Sequence, residues 1–114
     1  RAMASHQEDP RVQQQACTAL AHFMFGNADN TTSVAAQGGI DSMLRAMASH
    51  QADPRVQEQV CYALATAMAH NADNRISVAA QGGIDSMLRA MASHQEDPRV
   101  QQQACTALAH FMFG

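Results

Sequence analysis

"QGGIDSMLRAMASHQ" occupies residues 37–51 and returns letter for letter at 81–95, a spacing of 44 residues. Working outward from that stretch, residues 1–44 laid over 45–88 differ at ten positions, and residues 1–26 are identical to 89–114. Repetition with a period of about 40–47 residues belongs to helical solenoids, where each unit buries its apolar face against its neighbours because it cannot close a core alone. The repeat therefore decides the fold class before any single residue does.

One period divides into three helices. Asp53 before Pro54 reads as an N-cap with proline in the first turn, and Val56, Val60, Ala63, Leu64 and Ala67 then share one face of a long helix running to about His70. "NADN" at 71–74 follows as a turn, with Asp73 or Asn74 expected to cap a short helix through Ile76, Ala79 and Ala80. Gly82 and Gly83 stop it, the first placed for a left-handed C-cap. Ile84, Met87, Leu88 and Met91 continue as a medium amphipathic helix ending at Ser93-His94. The expected spans are long helices at about 10–25, 54–69 and 98–113, medium ones at about 40–49 and 84–93, and short ones at about 30–37 and 74–81.

Ser77-Val78-Ala79, then Gly82-Gly83-Ile84, then Asp97-Pro98 with Val100-Gln101, Cys105 and Ala107-Leu108 form a string that resembles the armadillo repeat over essentially the whole chain. The resemblance implies an all-α, right-handed superhelical solenoid of three-helix repeats with truncated terminal units. It makes 1–114 a single repeat domain, with a partial unit at about 1–26 and complete short-medium-long units at about 27–70 and 71–114. It also implies that the long helices line the concave side.

Composition narrows the function classes. Seven Arg, no Lys and ten acidic residues give a formal charge of −3, spread without a basic track, so nucleic acid is not an expected partner. No apolar run is long enough for a membrane span, and the first 20 residues lack the pattern of a signal peptide. Cys17, Cys61 and Cys105 recur at one repeat position, which suits buried free thiols of an intracellular, cytoplasmic or nuclear protein rather than a disulfide framework.

A search for chemistry finds no assembled site. His6, His50 and His94 share one repeat position, about 10 Å apart for packed helices, whereas zinc needs ligand nitrogens at about 2 Å. They are read as ending the medium helix near its negative end. The Ser-His neighbours at 5–6, 49–50 and 93–94 point in different directions and have no third group to orient an imidazole. Phosphate-binding, dinucleotide, HExxH and CxxC patterns are absent. No catalytic residue, metal or cofactor is therefore assigned.

Six of the ten differences fall in the long helix and its end: Ala16/Val60, Thr18/Tyr62, His22/Thr66, Phe23/Ala67, Phe25/Ala69 and Gly26/His70. Gln15, Thr18 and His22 lie beside the Val12-Ala16-Ala19-Phe23 stripe, as Gln59, Tyr62 and Thr66 do in the next unit and Gln103, Thr106 and His110 after them. By the resemblance this ladder is the concave face that holds an extended peptide. The family's tryptophan place holds Thr18, Tyr62 and Thr106, and its asparagine place holds His22, Thr66 and His110, so recognition of basic peptides does not carry over. The expected function is a non-enzymatic protein- or peptide-binding scaffold centred on Tyr62. The alternative is a structural repeat module, of natural or engineered origin, that self-associates head to tail. Phe23, Phe25, Phe111 and Phe113 are expected first as core or end-cap bulk, and Leu108, Phe111 and Phe113 as the open end through which copies would meet.

Overall fold

Asp9, Asp53 and Asp97 each accept a backbone N–H two residues on, from Arg11 (2.9 Å), Arg55 (3.0 Å) and Arg99 (3.0 Å), and a proline follows each of them. That cap and the fixed φ of proline start the three long helices. The computed structural model describes residues 9–113, and these form seven α-helices and no strand: α1 Pro10–Met24, α2 Ala28–Ala36, α3 Gly39–Ser49, α4 Pro54–Met68, α5 Ala72–Ala80, α6 Gly83–Ser93 and α7 Pro98–Phe113. The long helices lie side by side in the order α1, α4, α7. Medium helices α3 and α6 pack against each other and against the long helix of their own unit.

The short helices begin earlier than the sequence suggests. Asn27 and Asn71, not Asp73 or Asn74, are the N-caps, each side chain accepting at 2.9 Å from the N–H three residues on. Asn74 lies inside the helix and is buried, and its Nδ2 donates to Ala67 O at 2.8 Å; Asn30 does the same to Phe23 O. The last carbonyls of a helix lack intrahelical donors, so the second asparagine of "NADN" ties the long helix's end to the next helix.

The paired glycines have separate reasons. Gly38 and Gly82 hold φ of +82° and +85°, the left-handed turn between short and medium helices. At Gly83 a Cβ would lie 2.8 Å from Val78 O and collide with Val78 Cγ1, so only hydrogen lets the medium helix pass that close.

The core is contiguous and rich in methionine, with Met24, Met43, Met47, Met68 and Met87 all fully enclosed. Leu64 and the rest of the α4 stripe are buried as expected. Its counterpart on α1 is not: Val12 and Ala16 are half-exposed, Ala19 and Phe23 exposed, and α1 instead buries Gln13, Cys17, Ala21 and Met24. The reason is position, since α1 has a long helix only on its α4 side. For the same reason Cys105 is exposed while Cys17 and Cys61 are buried.

The remaining apolar side chains divide between surface and core. Phe25 is 75% exposed and Phe113 83%, so neither is core. Leu108 and Phe111 are partly buried against the core, because α7 turns that side toward α4. Ile76, Ala79 and Ala80 face outward, and Val78 is the apolar side chain that the short helix α5 buries.

Candidate binding groove

Of the nine ladder residues, five converge. Tyr62 and Thr66 of α4 face Gln103, Thr106 and His110 of α7 across a groove of about 730 Å³, which the turn at Met24–Ala28 closes at one end. Gln15 and His22 are exposed and stand apart from it. Thr18 and Gln59 are spent on each other: the Thr18 hydroxyl lies 2.8 Å from Gln59 Oε1 and 3.0 Å from Gln14 O, joining α1 to α4.

The groove wall is neutral and mixed. Thr66 donates to Tyr62 O at 3.0 Å and Thr106 to Gln102 O at 2.9 Å, each hydroxyl folding back on its own helix. Their protons are committed, so toward the groove these hydroxyls offer lone pairs. Gln103 adds an amide that both donates and accepts. Tyr62 is half-buried against the core and brings the one phenol ring, while Ala65, Ala69 and Phe25 supply apolar surface. Among the described residues no carboxylate and no arginine lines the groove, so a strongly basic peptide finds no counter-charge from them. The imidazoles of His70 and His110 also line it.

Two features of this site escape the sequence pattern. The wall residue His70 sits at φ +57°, where the matching residue of the first unit is Gly26 at +69°. The exchange is visible in the sequence, but the backbone conformation behind it is not. The turn at Met24–Ala28 and the nearby Thr31 also reach the groove; Thr31 Oγ1 lies 3.1 Å from Met24 O and holds that turn down.

The other candidates resolve into structure. His50 and His94 end the medium helices, and His94 Nε2 donates to Gln51 O at 2.8 Å, linking the loops of adjacent units. His6 lies outside the described residues. Cys17 and Cys61 have their thiols pushed from 9.0 up to about 12 by burial, opposite to what a nucleophile requires. Among the described residues no group of three His, Cys, Asp or Glu could hold a metal ion, and no helix is long and apolar enough to cross a membrane.

Gln57 and Gln101 carry a role the sequence pattern only hints at in "DPRVQ". Gln57 Nε2 donates to Met47 O (3.1 Å) and His50 O (2.9 Å), and Gln101 Nε2 to Met91 O (3.0 Å) and His94 O (2.9 Å). Each glutamine clamps the end of its unit's medium helix to the long helix.

Compared with protein-family models, with curated proteins and with solved structures, the chain matches none.

Proposed function

We propose that the chain is a non-enzymatic binding module of armadillo-like design, which takes an extended, uncharged peptide segment of a protein partner along the α4–α7 groove. In this reading the long helices line the concave side of a right-handed superhelix, and Tyr62 anchors the ligand. The observation that carries it is the convergence of Tyr62, Thr66, Gln103, Thr106 and His110 from two neighbouring long helices on one groove of about 730 Å³. The ligand's N–H groups meet the threonine lone pairs, the Gln103 amide pairs with a peptide unit, and an apolar side chain packs on the Tyr62 ring.

The chain contains one Tyr and no Trp, so tyrosine fluorescence reports the groove alone. A library of tryptophan-free, tyrosine-free neutral peptides is titrated while that emission is followed. Binders that change it, and that lose about tenfold or more in affinity on Tyr62→Ala but not on Gln15→Ala, support the reading. Binding that survives Tyr62→Ala, or a library without a binder, overturns it.

A further inference from the structure

The three long helices show one interface at three stages of completion. Helix α4 has a long helix on each side and buries two arcs: Val56, Val60, Ala63 and Ala67 on one, Cys61, Ala65 and Met68 on the other. Helix α7 has α4 as its one neighbouring long helix and buries the equivalents of the first arc, Val100, Ala104 and Ala107, with Phe111 partly covered. Its second arc lies open, with Cys105 exposed and Met112 exposed to 72%, whereas Met68 is at 0% and Met24 at 1%. Helix α1 is the reverse case. It buries Cys17, Ala21 and Met24, leaves Ala19 and Phe23 exposed, and covers Val12 and Ala16 only in part. Each first arc therefore packs on the second arc of the long helix before it.

We propose that the chain self-associates head to tail, the Cys105-Ala109-Met112 arc of α7 seating the Val12-Ala16-Ala19-Phe23 arc of α1 from a second copy. The molecule itself shows what covers these faces. The open arc of α7 repeats, letter for letter, the arcs of α1 and α4 that already hold a long helix: Cys17-Ala21-Met24 and Cys61-Ala65-Met68. The open arc of α1 matches the Val100-Ala104-Ala107-Phe111 arc that α4 already accepts. Both halves of an interface made twice inside the chain are thus presented on its outside. Neither arc carries a charge, and the formal −3 of the whole chain opposes contact only weakly. Leu88 widens the apolar end beside α7, being 51% exposed where its equivalent Leu44 is at 8%. The contact is heterologous, so adding copies leaves one open face at each end and growth continues past a dimer.

Sedimentation over a hundredfold concentration range tests this, with Met112→Glu and Ala19→Glu as single-face blocks at exposed positions and circular dichroism confirming that both remain helical. The wild-type mass is expected to rise from 12.2 kDa past two copies, and alkylation of Cys105 to slow as concentration rises. Each variant alone is expected to associate about tenfold or more weakly, since a carboxylate would be buried without a partner. Mixed, the two variants keep one good face each and should stop at a heterodimer. A single species of 12.2 kDa throughout, association untouched by either substitution, or a folded mixture that stays monomeric would each overturn the proposal.

Discussion

Replacing Gln57 with Met keeps the length and packing of the side chain while removing both hydrogen bonds that clamp α3 to α4. The bond to Met47 O is buried and the bond to His50 O partly so. A net hydrogen bond is worth about 1 kcal/mol, and a carbonyl stranded away from water costs about 1–3 kcal/mol, so the buried bond contributes about 2 and the partly wet one about 1. The expected loss is about 3 kcal/mol. At roughly 2.1 cal/mol/K of unfolding entropy per residue over 114 residues, that is a fall of about 12 °C in Tm. The molecule supplies its own control, because Gln101 makes the same two bonds with both carbonyls partly open to water. Gln101→Met is therefore expected to cost about 2 kcal/mol, about 1 for each partly wet bond. Urea unfolding followed by circular dichroism measures both, with an unchanged m-value as the condition for comparison. Equal losses at the two positions, or a loss below about 0.5 kcal/mol at Gln57, would refute the idea that burial of the clamp sets its worth.

Gly83→Ala must displace Val78 or the helix behind it, and thermal melts are expected to show a loss of about 2 kcal/mol or more. Gly82→Ala meets no neighbour but must adopt φ +85°, so about 1–2 kcal/mol is expected there. His70→Gly restores the residue found at Gly26 and relieves a left-handed φ of +57°, and a gain of about 1 kcal/mol in urea is expected, with a loss counting against the strain. Burial raises the Cys17 and Cys61 thiols from 9.0 to about 12, so above pH 9 the unfolded chain releases protons that the folded one keeps. Stability should fall with rising pH by about 1.4 kcal/mol per pH unit for each thiol, and be insensitive to them below pH 9; an equally steep decline in Cys17→Ala/Cys61→Ala would refute this.

Helix count, order and most boundaries are legible in the sequence because they rest on local chemistry: Asp-Pro starts, Gly-Gly stops and 3.6-residue periodicity act within a few residues of where they are written. The misplaced short-helix caps mark the limit of that reading. Both asparagines of "NADN" are capable N-caps, and what separates them is the unsatisfied carbonyl at Ala67 that draws Asn74 inward. Phe23 and Ala67 show the same limit for burial. They occupy one repeat position, yet the first is exposed and the second enclosed, because the covering helix comes from the preceding unit.

The groove is less legible than the core for a related reason. Periodicity assigns Gln15, Thr18, His22 and their equivalents to one flank, but a flank becomes a site only where two units face each other across open space. Between α1 and α4 that space is bridged by Thr18 and Gln59, a pairing 41 residues apart in the chain. Between α4 and α7 the exchange of Thr18 for Tyr62 removes the hydroxyl that makes this bridge, and a half-buried ring stands in its place. Gln103, the counterpart of Gln59, then lines the groove instead of closing it. The exchange of Thr18 for Tyr62, one of several between these two long helices, thus separates a bridged seam from an open one.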